Sequence, residues 1–272
     1  MERIIFFGLL VVAALTVLGF TLRLHPTRRL AFLREAVIII SAYFIYFLIR
    51  SLTEGRADEA IQRALALEDV ERWLGIGVEA AVQGLIIEHD WLVALANWIY
   101  IGLHWPLIAA IALWLYHEHT ERYFTYRNAI LLSGLVGLII FATLPMAPPR
   151  LADPELIDTV VERSNSYRLM QPPALTNQYA AMPSLHLGWN LLMSIALVRE
   201  SRHVLLQVIG WGTPVLMFLA MVMTANHYVL DGVAGAAIVL VALLAIDRLF
   251  PWIRAWRAQR GLTVNLQVIE ED

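Results

Sequence analysis

Long apolar runs, each bounded by charged or proline-rich stretches, constrain this chain more than anything else in its sequence. A run of about 20 apolar residues matches the hydrocarbon thickness of a bilayer. There a backbone satisfies its N–H and C=O groups only within helices or a closed barrel. The runs are near-continuous rather than alternating, so they specify helices. Their expected limits are residues 4–22, 32–52, 91–116, 129–146, 183–198, 204–223 and 228–250. The expected fold class is therefore all-α. It is a polytopic membrane helical bundle of about six to seven transmembrane helices, with an amphipathic extracytoplasmic segment. Composition agrees, at 59% apolar and 16% charged, against about 45–50% and about 25% for a soluble domain.

The first run is followed by Arg23, Arg28 and Arg29, the reverse of a cleaved signal peptide's charge order, so an uncleaved helix is expected. Residues 53–90 are acidic but interleaved with Ile61, Leu65, Val70, Trp73, Leu74, Val82 and Leu85. This pattern suits amphipathic helices lying on the bilayer surface, and it equally suits a soluble cap. Gly210, Gly212 and Pro214 predict a bend in the sixth run. A net charge of -3 offers no basic surface for nucleic acid, and the absence of cysteine excludes disulfides and thiolate chemistry.

Seven spans place the termini on opposite sides. With the C-terminus inside, twelve of the twenty arginines fall on inner segments, and six of the other eight lie in the long acidic stretch or the proline-rich loop. Short loops carry the orientation signal. The end of the fourth run, the start of the fifth and the junction of the last two then share the extracytoplasmic face. Arg150, His186, His227 and Asp231 are thereby expected together, although 81 positions separate the first from the last.

Pro183 suits the first turn of a helix, where its missing N–H is not needed. The free amides of that helix end favour an anion, and His186 is close enough to protonate a group bound there. His227 and Asp231, at i and i+4, share a helical face, so the carboxylate can fix the imidazole tautomer. Arg150 offers a planar fork of donors to phosphate oxygens. Together these suit phosphoryl transfer with His227 as nucleophile and His186 as acid, without metal or cofactor. Taken singly, each histidine could be structural and the His227–Asp231 pair a local salt bridge or half a metal site.

Asn97, Tyr100 and His104 fall on one face of the third run. Counted from the start of that run, His104 is on the order of 20 Å deep, too deep for a surface phosphate but suited to lining a cavity. Polar groups inside a bilayer mark either functional sites or interhelical hydrogen bonds.

Pro183-Ser184-Leu185-His186 and His227-x-x-x-Asp231 resemble the second and third signatures of the phosphatidic acid phosphatase type 2 superfamily. Asn177-x-Tyr179-Ala-Ala-Met-Pro-Ser-Leu-His186 and Ala225-Asn226-His227-Tyr228 resemble its inositol-phosphorylceramide synthase branch in particular. The likeness runs from about Arg56 to Gly235, through Asn97-x-x-Tyr100-x-x-x-His104 and Pro145-x-Ala147-Pro148-Pro149-Arg150. It implies a helical core with its site at the extracytoplasmic membrane surface; with the apolar runs and arginine bias, the expected division is N-terminal transmembrane helices over 1–55, a catalytic membrane domain over 56–250 and a cytoplasmic tail over 251–272. It implies His186, His227 and Asp231 as catalytic, with Arg150, Ser184, Tyr179, Asn226, Asn97, Tyr100 and His104 binding substrate. The first signature is absent, since the chain has no lysine and Arg150 precedes Leu151. Ala220 and Met221 replace the Ser-Arg that opens the third.

The function expected is transfer of a phospho-alcohol (phosphoinositol-like) headgroup between membrane lipids through a phosphohistidine, in a bacterial plasma membrane. Partners would be a phospholipid donor and a lipid or alcohol acceptor. With water as acceptor the same residues make a lipid phosphate or diphosphate phosphatase. A transporter or receptor with an intramembrane polar site is the non-enzymatic alternative.

Overall fold

The computed structural model describes residues 26–51, 55–163 and 178–259. The run at 4–22, most of the proline-rich loop and the end of the tail lie outside them. The described residues form α1 (Pro26–Ser51), α2 (Ala57–Leu74), α3 (Glu79–Ile86) and α4 (Asp90–Glu118). After these come α5 (Thr120–Thr143), the short α6 (Pro149–Ala152) and α7 (Thr159–Arg163), α8 (Leu185–Glu200), α9 (Val204–Met223) and α10 (Val229–Gln259). Among the described residues there is no strand, only an isolated bridge between Met146 and Ala180. Among the described residues, four helices are long and apolar enough to cross a membrane: α4, α5, α9, and α10 over Val229–Leu249.

The apolar helix α8 is the axis of the bundle and packs against α4, α5, α9 and α10. Leu192, Met193 and Ala196 are buried around it with Phe141, Val239 and Leu243. Its polar groups are paired: Trp189 Nε1 donates to Ser133 Oγ at 3.1 Å, and Ser194 meets Thr213 at 2.7 Å. In α9 the helix continues through Pro214. The last helix runs past the expected limit at 250 and through Pro251 to Gln259, so the tail begins as helix.

The acidic stretch is helical and bridges two helix ends by charge. Arg56 donates to the Ala142 carbonyl at the C-terminal end of α5 (2.9 Å), and Arg63 to the Pro145 carbonyl just beyond (3.3 Å). At the other side, Glu71 Oε1 accepts from the Leu230 amide (2.6 Å) and Glu79 Oε1 from the Val229 amide (3.1 Å). Cations thus sit on terminal carbonyls, as a helix dipole favours, and carboxyl oxygens accept from the first-turn amides. The cap formed by α2 and α3 is clamped between α5 and α10.

Close backbone contact sets the crossing of α8 and α10. A Cβ on Gly188 would meet the Gly235 carbonyl oxygen at 2.8 Å, and one on Gly235 would overlap the Ser184 carbonyl oxygen. Small residues let helices approach this far. The approach lets the Ser184 amide donate to the Asp231 carbonyl at 2.8 Å, joining the two helix N-termini.

Candidate active site

Three chain segments meet at that crossing. Ser184 caps α8, its Oγ accepting from the Leu187 amide at 3.5 Å, and His186 lies in the first turn. Pro183 therefore stands before the cap, not inside the first turn as its sequence position suggested. Before α10, the turn Thr224–Tyr228 is tied to the end of α9, with the Thr224 amide on the Ala220 carbonyl and the Asn226 amide on the Met221 carbonyl. Asn226 Nδ2 donates to Thr224 Oγ1 at 2.8 Å, so its side chain braces the turn that presents His227.

The His227 ring is held from both edges. Nδ1 lies 2.8 Å from the Ala181 carbonyl oxygen, an obligate acceptor, and so carries the proton. The Asp231 carboxylate is farther from Nδ1, at 3.4 Å, and its Oδ2 also accepts from the Tyr228 amide at 2.9 Å. The tautomer is thus fixed chiefly by a backbone carbonyl, with the carboxylate behind it to stabilise a positive imidazole. Nε2 is left with its lone pair and lies 3.0 Å from the Tyr100 hydroxyl, which donates to it.

Tyr100 belongs to a π-helical turn of α4, Trp98–Leu103, a feature common at functional sites. Its hydroxyl also approaches His186 Nδ1 at 3.4 Å, and its ring stacks on His186 with centroids 4.4 Å apart. His104 also lies against His186, with centroids 4.5 Å apart. The depth estimate that separated this face of α4 from a phosphate site is corrected: Tyr100 and His104 touch the paired histidines. The count misled because the α8 and α10 N-termini do not end level with the start of α4. His186 and His227 stand 5.9 Å apart, centroid to centroid, near enough to address one tetrahedral group. His227 is 4% exposed and Asp231 fully buried, while His186 is the partly open member.

The remaining expected residues have other attachments. Asn97 pairs with Thr159, donating from Nδ2 to its carbonyl (2.8 Å) and accepting its hydroxyl at Oδ1 (3.1 Å), so it pins α7 to α4. The Tyr179 carbonyl accepts the Met146 amide at 2.9 Å, and its ring packs with Ala60, Ala147 and Tyr228. The Arg150 amide donates to the Ala225 carbonyl at 3.1 Å, placing this residue beside the His227 turn. Its Nε, however, is bound to Asp158 at 2.7 Å. Arg150 is therefore not an uncommitted cation; only its terminal nitrogens make no hydrogen bond among the described residues.

Sequence reasoning missed Glu71, Glu79, Asp158 and the Ala181 carbonyl, none of which has a local signature. Gly188, Gly232 and Gly235, by contrast, carry one, as small residues spaced along two apolar helices. Burial, against the Leu230 hydrogen bond and reinforced by the Glu79 and Asp231 charges, pushes Glu71 up to about 8. Between its ordinary value near 4.5 and about 8, the unfolded chain loses this proton while the folded chain keeps it. Stability should therefore fall as pH rises through that window and level off above it. Glu71→Gln keeps the acceptor for Leu230 without the charge. It is expected to flatten the profile and to be more stable at pH 8 by on the order of a few kcal/mol. Thermal unfolding from pH 5 to 8 measures this, and parallel profiles for the two proteins would refute it.

Fold and site together define a class: a helical membrane protein with a buried two-histidine, one-carboxylate centre where three helices converge. The chain belongs to the PAP2 superfamily, whose family model matches residues 65–245, about two thirds of its length. Members of that superfamily are generally phosphatases or phosphotransferases, which supports an enzyme. No curated protein and no solved structure matches the chain significantly.

Proposed function

We propose that this protein is a membrane lipid phosphotransferase that moves a phospho-alcohol headgroup, of the phosphoinositol type, from a glycerophospholipid to a lipid hydroxyl. One observation carries the reading: the proton of His227 is held on Nδ1 by Ala181, so the Nε2 lone pair faces Tyr100 and His186. A histidine so fixed is a nucleophile, and a second imidazole beside it is an acid.

In the first step Nε2 attacks phosphorus and the bond from phosphorus to the glycerol oxygen breaks. His186 gives that oxygen its proton, and diacylglycerol leaves. The N–P bond takes up the Nε2 lone pair that accepts from Tyr100, so the hydroxyl is released to a phosphoryl oxygen. In the second step the acceptor hydroxyl gives its proton to His186 and attacks phosphorus, and the N–P bond breaks. The amides at the α8 N-terminus and the terminal nitrogens of Arg150 meet the phosphoryl charge. The site lies at the extracytoplasmic end of a six- to seven-span bundle in a bacterial plasma membrane. In that bundle α1 and α8 add to the four long apolar helices.

The test is incubation of the bilayer-reconstituted protein with a phospholipid panel, with and without a diacylglycerol or ceramide acceptor, reading products by mass. Headgroup transfer that needs the acceptor is the expected result. Release of phosphate or phospho-alcohol to water, indifferent to acceptor, would make it a phosphatase. No turnover of any phosphate ester would remove the enzymatic reading in favour of a transporter or receptor.

A further inference from the structure

The two carboxylates that clamp α10 flank a turn whose side chains face outward. Glu71 and Glu79 hold the Leu230 and Val229 amides. Between them Trp73 is 83% exposed, with Leu74 and Val78 also exposed, and on α3 Leu85 is 74% exposed. These are the wrong side chains for a water-facing cap. The turn is made where Gly75 adopts φ +71°, which a side chain rarely does, so the outward loop is built into the backbone.

The depth of α3 follows from what its inner face touches. Val82 packs against the cluster of Tyr100, Met217, Ala220 and Met221, and Ile86 against Val93, Ala96 and Met223. The helix thus lies alongside the last turns of α9 and the first turns of α4, both long and apolar enough to span. On those same turns Leu219, Leu95 and Trp98 are exposed and therefore face lipid. Leu85 is exposed on α3 next to Ile86, which packs on those turns. Polar groups begin one turn before the outward loop, where Asp69 is 75% and the Arg72 side chain 61% exposed.

We propose that the segment from Trp73 to Leu85 is an interfacial membrane anchor. Trp73, Leu74, Val78 and Leu85 lie in the headgroup–acyl boundary of the leaflet at the histidine end of the bundle. Tryptophan at this boundary and amphipathic helices sunk about 5–10 Å into it are the usual forms of such an anchor. The partner is the lipid surface itself. Because Glu71 and Glu79 grip the first turn of α10, the bilayer then supports the element that follows His227. The anchor is independent of which reaction the site performs.

The chain has no cysteine, so a single one can be introduced at will. Leu74→Cys and Leu85→Cys would each carry a nitroxide label in phosphatidylcholine–phosphatidylglycerol vesicles, with Asp69→Cys as the aqueous reference and Leu219→Cys as the lipid reference. Relaxation by oxygen and by a water-soluble nickel chelate is then compared. Labels at 74 and 85 should favour oxygen several-fold over nickel relative to position 69, as at 219. Nickel accessibility equal to that at 69 would overturn the anchor and leave a water-facing cap. Labels shielded from both reagents would also overturn it, because a protein partner would then cover the segment. All four substituted positions are exposed, and reading two anchor sites guards against one variant misfolding.

Discussion

Replacing His227 by alanine should abolish turnover, lowering kcat by at least about 10⁴-fold, because a nucleophile has no partial substitute. The fold should survive, since His227 stands in the turn before α10, so its loss removes hydrogen bonds to Ala181 and Tyr100 without interrupting a helix. His186→Ala separates the two roles. Without an acid, esters with alkoxide leaving groups should slow by about 10²–10⁴-fold. A nitrophenyl ester, whose leaving group needs no proton, should be largely spared. The wild type incubated with labelled donor should retain label that is lost in acid and kept in base, as a phosphohistidine is. Undiminished turnover by the His227→Ala protein would sink the mechanism.

Gly235→Ala should be the most damaging substitution outside the histidines. The added methyl overlaps the Ser184 carbonyl oxygen, and neither backbone can move without parting Ser184 from Asp231. Overpacking of side chains costs about 1–3 kcal/mol. A backbone collision at a helix crossing should reach or exceed the top of that range, with activity lost as α8 and α10 separate. Gly212 is the control, because a Cβ there meets nothing within 4 Å. Gly212→Ala should raise stability by up to about 1 kcal/mol through helix propensity alone. Detergent-resistant thermal unfolding reads both, and a wild-type midpoint for Gly235→Ala would show that the crossing tolerates a wider gap.

The paired histidines and Asp231 were legible because their chemistry is local in sequence. His227 and Asp231 sit one helical turn apart, and His186 follows a proline–serine helix start. Arg150 was legible as a charge near the site but not as a charge already engaged, since its partner Asp158 lies in a loop with no periodic pattern. The histidine face of α4 was visible as Tyr100 and His104 on one stripe, yet its depth was misjudged. Counting residues along one helix gives no information on how far its neighbours are offset. Glu71 and Glu79 were read only as surface acidity, for their role depends on a helix end some 150 positions away.

By itself, then, the sequence determined that this chain is a helical membrane protein and which side chains are the candidates for phosphate chemistry. Apolar run length and residue spacing are one-dimensional properties that bilayer thickness and helical pitch translate directly. The tertiary structure alone decided which edge of His227 carries the proton, that Tyr100 meets both histidines, and that a clamped cap holds α10. Those outcomes depend on hydrogen bonds of about 3 Å between groups 46 to 159 residues apart. The packing of α8 against α10, at two glycines, brings Ala181 into range of His227.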